Sequence, residues 1–331
     1  MKINGWAKTT LWLLCLSLPL WFSGCGTNGG GGGGTPPRGN FAYVTNAEED
    51  TVSVLNTANN TVVGEVSVGE YPDAVAINPN GNFAYVANGD DDTVSVINIA
   101  SNLVTATVDV GANPQGIAIT PNGSFVYVLN AQDDTISVLN TANHTVSATI
   151  DLGFSPEGIA ITPDGNFAYV GNWSDGTVSV IDTADNTIVD TINVGISRMA
   201  IAANPNGNFV YVTNYNDNAV YVIDTADNTV VDTIIVGSGP FDIAVSPDGN
   251  FAYVVNSNDN TVSVINTVAD IVITIINVGV GPDAVTVAPS GNFAYVGNWG
   301  DSSVSVINTA DNTVTATVSV GVGPLSIAVT P

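Results

Sequence analysis

Few side chains in this sequence have types and spacing suited to chemistry. There is one histidine, His144, in the turn Thr141-Ala-Asn-His-Thr145. Metal ligation and acid–base relay need converging partners, so a lone turn histidine reads as a solvated side chain. The two cysteines, Cys15 and Cys25, both stand near the N-terminus, which leaves the rest of the chain without disulfide or thiol chemistry. Zinc, copper, haem and Ser-His triads therefore find little support. No glycine-rich phosphate loop opens a helix, because the glycine run at 29–34 belongs to a linker. Carboxylates are the abundant reactive group. One acidic position recurs as Glu49, Asp91, Asp133, Asp175, Asp217, Asp259 and Asp301, each in a polar turn. The plain reading is turn chemistry, with Asp bonding to backbone two residues on. The alternative is a ring of carboxylates that holds Ca²⁺ or a basic partner. Asp90, Asp91 and Asp92 are the densest group and the metal candidates, although they lack the ligand spacing of a calcium loop. No other cofactor is expected.

The charge balance narrows the partners. Thirty acidic residues face four basic ones, of which only Arg38 and Arg198 lie beyond Gly24. Such a surface repels phosphate backbones, so nucleic acid is not an expected ligand, and it favours solubility and basic or cationic partners.

These side chains sit on a repeat. The segment Gly81-Asn-Phe-Ala-Tyr-Val-Ala-Asn88 has versions starting at Gly39, Gly123, Gly165, Gly207, Gly249 and Gly291, always 42 residues apart. A fixed period of this size, with several short strands per unit, marks a repeat architecture. Within one unit, Phe83–Ala87, Thr93–Ile97, Leu103–Val110 and Gln115–Thr120 read as strands separated by Asn-, Asp-, Gly- and Pro-rich turns. The last is nearly all apolar, as a strand buried on both faces should be. The third alternates Thr with Val or Ile, as an edge near water should. Gly69 and its counterparts end the third strand in every unit, which predicts a positive φ there.

Four-stranded units stacked around an axis make a β-propeller, so the expected fold is all-β with seven blades. The apolar strand is innermost and the Thr-rich strand outermost. The chain begins its first blade one strand late and ends on the apolar strand Pro324–Thr330. That C-terminal strand should pair with the N-terminal blade and close the ring.

The repeat breaks its own rule in two places. The loop entering the inner strand carries Pro72, Pro114, Pro156, Pro240, Pro282 and Pro324, but Arg198 in blade five. After the signature Asn, blades four, five and seven have Trp173, Tyr215 and Trp299 in place of small residues. Strand order puts both loops on one face. Trp173, Arg198 and Tyr215, with Met199 and Phe241 nearby, are expected to meet near blades four and five, and Trp299 to share the face. An Arg among exposed aromatics suits glycan, peptide or anion binding. The second break is Ile271, Ile273 and Ile275 on the outer strand of blade six. Alternate residues share a face, so one rim becomes apolar and is a candidate partner edge.

Ahead of the repeats, Lys2 and Lys8 precede an apolar stretch, Thr10–Phe22, too short to span a membrane but suited to a signal peptide. It ends at Phe22-Ser-Gly-Cys25, which resembles a bacterial lipobox with Phe22 in the usual Leu position. The expected organisation is a lipoprotein-type signal at 1–24, lipidated Cys25 with a Gly-rich linker at 25–37, and the propeller at 38–331. A linker of this length reaches roughly 20 Å root-mean-square. The expected location is the cell envelope, with the membrane engaged through the lipid.

Tyr43-Val-Thr-Asn46 and Tyr211-Val-Thr-Asn214, with Thr-Val-Ser-Val-Ile-Asn and Pro-Asp-Gly-Asn elements, resemble the YVTN β-propeller repeat family over residues 38–331. The resemblance implies a cell-surface scaffold and carries over no catalytic residues. The function expected is non-enzymatic: a surface-displayed binding, adhesion or scaffold module for a cell-surface protein or glycan. Two alternatives stand beside it, a lactonase- or lyase-like enzyme with an axial-pore site and a cation-binding structural envelope protein. Against the enzyme, the residues opening the inner strands are Asp73, Gln115, Glu157, Met199, Phe241, Asp283 and Leu325, with no obvious acid–base pair.

Overall fold

Each Phe-x-Tyr-Val segment pairs on both sides, and that pairing builds the molecule. In the computed structural model, which describes residues 41–331, Phe83–Asn88 lies between Pro72–Ile77 and Thr93–Asn98 in antiparallel register. Leu103–Asp109 completes the sheet on the far side. The same order of four recurs in seven sheets, so the fold is the seven-bladed, all-β propeller expected from the period. The leader, Cys25, the linker and residues 38–40 fall outside the described residues. Among the described residues, no helix is long and apolar enough to cross a membrane.

Ring closure follows the expected route. Pro324–Val329 pairs antiparallel with Phe41–Asn46, matching Ala42 to Val329 and Val44 to Ile327. The N-terminal blade therefore takes its inner strand from the C-terminus, and no blade is left with an unpaired inner strand.

The core lies between blades. Ala42, Val44 and Leu55 of blade one pack with Ala284, Tyr295, Val304 and Val306 of blade seven. Six further clusters of the same kind link the other neighbours. The signature Tyr of every blade is at most 1% exposed. Its ring fills the inter-blade layer while its hydroxyl reaches the turn before the next blade's outer strand. Tyr43 donates to Asn102 at 2.6 Å, Tyr127 to Asn186 at 2.7 Å and Tyr169 to Asn228 at 2.7 Å. Leaving such a buried acceptor unpaired costs about 1–3 kcal/mol, so these bonds hold the stack in register. His144 takes the Asn position opposite Tyr85. Its Nδ1 lies 3.4 Å from the Tyr85 hydroxyl and its ring stands edge-on to Phe83. His144 is therefore a half-buried inter-blade contact and not a solvated turn residue, because the position itself faces the neighbouring blade.

The signature Asn has an equally specific place. Asn88 Nδ2 donates to Thr93 Oγ1 and Ser95 Oγ, and its Oδ1 accepts the Gly69 N–H at 3.2 Å. This corrects the reason for the glycine that ends each outer strand. A Cβ on Gly69 would stand 2.7 Å from the Asn88 side chain, and one on Gly279 would stand 2.5 Å from Asn298. The residue is glycine because another side chain occupies the space. Blade five differs: Gly195 has a positive φ, at +82°, and a Cβ there would meet nothing closer than 3.4 Å.

Blade five is irregular in linked ways. Ala219 and Tyr221 replace the Thr and Ser that Asn would bind, so Asn214 Nδ2 turns to the Val194 carbonyl. The inner strand shrinks to Ile201–Ala203, against six residues in the other blades. Arg198 enters this strand in place of Pro.

Candidate functional site

The inner strands begin at one end of the axis, where their first side chains converge on a cavity of about 170 Å³. Its polar lining includes Asp73, Glu157, Arg198, Asp242 and Asp283, with Phe241 and Met199 beside them. Blades two, four, five, six and seven thus each deliver chemistry to one mouth.

Arg198 is the only cation at this mouth. Its Nε donates to Glu157 Oε1, and its guanidinium lies 4.2 Å above the ring of Phe241. Glu157 Oε2 also accepts the Met199 N–H at 3.4 Å. Blade four therefore fixes the irregular entry of blade five. The approach is close, since a Cβ on Gly158 would stand 2.5 Å from the Met199 carbonyl oxygen. Arg198 remains 44% exposed while Glu157 is 13% exposed. The guanidinium sits at the rim and the carboxylate below it.

The carboxyls differ in their support. Asp242 Oδ1 accepts the Ile243 N–H and Oδ2 accepts the Val285 N–H, both at 2.8 Å. It clamps the inner strands of blades six and seven. Asp283 accepts the Ser257 hydroxyl at 2.9 Å. Asp73 accepts no hydrogen bond from the described residues. It is surrounded by dense protein yet keeps some surface on the water of the mouth.

These settings raise the proton affinity of all four. Burial pushes Asp73 up to about 7, with Arg198 opposing and Glu157 and Asp90 adding to the rise. Burial pushes Asp242 up to about 6 against its two backbone N–H bonds, and Asp283 adds to the rise. Burial also raises Glu157 and Asp283, with Arg198 pulling both back. Charged forms lose solvation in the enclosure, and several like charges share it. Near neutral pH, Asp73 is divided between acid and base, which general acid–base chemistry needs.

The inner-strand openings, which show no obvious acid–base pair in the linear chain, bring three carboxyls to one cavity. In sequence, Asp73, Glu157 and Asp283 are 84 and 126 residues apart, and only closing the ring brings them to one cavity. Asp242 was missed altogether. Its signal was present: the position is Ala74, Gly116, Gly158, Ala200, Ala284 or Ser326 in the other blades.

The surface candidates divide. Arg198 and Phe241 meet at the mouth, and Met199 packs beneath them, 2% exposed. Trp173 is 48% exposed outside the cavity lining. Tyr215 takes its N–H to the Arg198 carbonyl but its hydroxyl away to Asn258. Trp299 lies against Gly323 at the blade seven–one seam. Ile271, Ile273 and Ile275 are about half exposed, at 55%, 46% and 59%.

The recurring acid is a splint between loops. Asp91 Oδ2 accepts the Glu70 N–H at 2.8 Å, and Asp133, Asp175, Asp259 and Asp301 repeat this bond to a residue 21 positions earlier. Neighbouring Asp92 accepts the Asn113 N–H, so Asp91 and Asp92 serve different loops. Among the described residues no three His, Cys, Asp or Glu side chains are grouped to hold a metal.

Comparison with known proteins gives the same architecture from several directions. Residues 26–109 match the family "Lactonase, 7-bladed beta-propeller". Residues 124–239 match "Cytochrome D1 heme domain", and residues 281–304 match the LVIVD repeat. No curated protein matches. Among solved structures, hydrazine synthase of Kuenenia stuttgartiensis aligns at 24% identity and TM-score 0.75, over 81% of this chain and 92% of that one. A protein of unknown function from Desulfotomaculum acetoxidans DSM 771 aligns at 19% and TM-score 0.79, over 88% and 99%. A candidate 6-phosphogluconolactonase from Bacteroides fragilis NCTC 9343 aligns at 16% and TM-score 0.76, over 90% and 99%. These likenesses establish a β-propeller. The mouth does not suit a haem: about 170 Å³ is below the ~300 Å³ of even a modest ligand pocket. The described histidine is bound up with Phe83 and Tyr85, away from this cavity.

Proposed function

We propose that the protein is a hydrolase of the lactonase type, working at the axial mouth on a cyclic or open ester small enough for that cavity. The observation that carries this reading is Asp73: a carboxyl without a protein hydrogen bond, held up to about 7, in one cavity with the anchored cation Arg198. The partial match to a lactonase propeller supports the same choice over a purely adhesive role.

In the reaction, an ionised carboxylate of the mouth takes a proton from water as the water oxygen bonds to the acyl carbon. Arg198, held by Glu157 and Phe241, offers its remaining N–H groups to the oxyanion that forms. The C–O bond then breaks, and a protonated carboxyl returns a proton to the departing alkoxide. Asp73 suits the proton-carrying role because both of its forms are populated near neutrality. Asp242 is braced by two backbone N–H groups and suits a fixed geometry.

Location belongs to the same proposal. The lipobox-like leader and the YVTN-type repeats support an exported, lipid-anchored protein acting in the cell envelope, with the surface aromatics Trp173, Tyr215 and Trp299 as further contact points. The test is a panel of γ- and δ-lactones and simple esters assayed with the full chain by proton release. Turnover that vanishes in Asp73→Asn and falls in Arg198→Gln supports the proposal. A full panel without turnover above the Asp73→Asn background removes it.

A further inference from the structure

The charge of the mouth runs against a phosphorylated sugar lactone of the kind named for the Bacteroides fragilis likeness. Four carboxyls, Asp73, Glu157, Asp242 and Asp283, line a cavity whose one cation is Arg198. That cation is already taken up by Glu157 and covers Phe241. Beyond the mouth, the sequence carries a formal net charge of −26, so the long-range field also favours positive ligands. A phosphate or carboxylate would enter against this field and meet four carboxyls for the one cation, Arg198, whose charge Glu157 already offsets.

Asp73 supplies the second, independent observation. It lines the cavity half-buried, with part of its surface on the mouth, and it accepts no hydrogen bond from the described residues. A carboxyl that faces a cavity without a protein donor is open to a donor from a ligand. The bonds of Asp242 and Asp283 to Val285, Ile243 and Ser257 fix the orientation of those carboxyls.

We propose that the axial mouth selects a small cationic substrate, one bearing a protonated amine whose N–H groups are received by Asp73 with Asp283, while Arg198 meets the carbonyl end. This rests on the mouth being the working site, as proposed above, and on no other part of that reading. It goes beyond that reading by fixing the charge of the substrate as positive. An amine at Asp73 supplies the absent donor and offsets the crowding of like charges, which neutral and anionic ligands leave in place.

The test separates binding from turnover by using lactams, which have the ring and carbonyl of a lactone. Calorimetry on the full chain at pH 8 and low salt would compare 3-aminopyrrolidin-2-one hydrochloride, pyrrolidin-2-one, 5-oxoproline and 6-phosphogluconate. The 3-amino compound is measured at a pH where its protonated fraction is known, and affinities refer to that form. The cation is expected to bind about tenfold or more tighter than the neutral lactam, as one partly screened charge pair allows. Added salt should shrink the gap, and both anions should bind weaker than the neutral ring. In Asp73→Asn the cation should lose most of its advantage. In Arg198→Met both rings lose the carbonyl contact, but the preference for the cation over the neutral lactam should widen several-fold, a gain that a misfolded mouth would not produce. Equal binding of cation and neutral ring, or tighter binding of 6-phosphogluconate, overturns the proposal. Since no probe need be hydrolysed, a chain without lactonase activity can still pass, and an active lactonase can still fail.

Discussion

The guanidinium of Arg198 lies 4.2 Å above the ring of Phe241, and its Nε is bonded to Glu157. Three blades meet in that contact: blade four gives the carboxylate, blade five the cation and blade six the ring. The one cation of the mouth is thus held on two sides, and its remaining N–H groups are free to face the cavity. At a rim position, with Arg198 44% exposed, such a cation–π contact is worth about 0.5–1 kcal/mol, and it biases the guanidinium toward the ring.

Removing that cation should move the pH dependence of catalysis. Arg198 lowers the proton affinity of Asp73 against the larger effect of burial. In Arg198→Gln the limb of the kcat/KM–pH profile that reports Asp73 should shift to higher pH, alongside a loss of rate on the order of tenfold or more. Phe241→Leu should keep the limb in place and mainly raise KM. A profile unmoved by Arg198→Gln would remove the coupling.

Asp73 also makes a stability prediction with a definite sign. Its folded-state value of about 7 is above the ordinary aspartate value of 3.8, so the folded chain binds the proton more tightly than the unfolded one. Stability should be greatest below about pH 4 for this group and fall as pH rises through about 7. Asp73→Asn removes that fall. At pH 8 it should be more stable than wild type, on the order of 2 kcal/mol after screening by water in the mouth. At pH 4 the two should be alike, as denaturant unfolding at both pH values would reveal.

His144 gives the opposite slope through a different cause. Burial lowers its proton affinity below the ordinary 6.5, so protonation favours the unfolded chain. Stability should decline as pH drops below 6.5, and His144→Asn, which restores the residue used in most blades, should flatten that decline. Thermal melts from pH 7.5 to 5 on the two proteins make the comparison.

Two glycines should respond in opposite ways to the same change. A Cβ on Gly279 would collide with Asn298, whose Nδ2 is bonded to Ser303 and Ser305. Gly279→Ala should cost about 1–3 kcal/mol. A Cβ on Gly64 meets nothing within 4 Å. Gly64→Ala should be neutral or stabilise by up to ~1 kcal/mol by restricting the unfolded chain. Equal effects would mean that side-chain occupancy is not what selects glycine at the strand ends.

The clasp between chain ends should be indispensable. Ending the chain at Gly323 removes the strand that pairs with Phe41–Asn46 and leaves buried Tyr43 and Val44 beside an unpaired edge. Loss of the cooperative unfolding transition is expected, and supplying residues 324–331 as a separate peptide should restore part of it.

The order of strands, the blade number and the closing pair were legible in the linear chain because they are written seven times at one spacing. Asn88, Gly69 and Tyr85 recur, so their importance showed, although the reason for Gly69 did not. A sequence can mark a residue as invariant within itself without telling whether backbone angle or an intruding Asn requires it. The departures were legible too. Arg198 broke a row of prolines, and Trp173 and Tyr215 broke a row of small residues.

What the chain could not express alone was which departures meet. Trp173 and Arg198 lie on the same face, but the ring beneath Arg198 belongs to Phe241. Asp73, Glu157, Asp242 and Asp283 each occupy an unremarkable place in a separate repeat. Local sequence determines strands and turns through side-chain alternation and backbone preference, and those act over a few residues. The mouth exists only where seven strand ends converge, and there burial and mutual repulsion raise the proton affinity of its carboxyls. That electrostatic setting belongs to the closed ring, because solvent exclusion and the distances between distant repeats are properties of the tertiary structure alone.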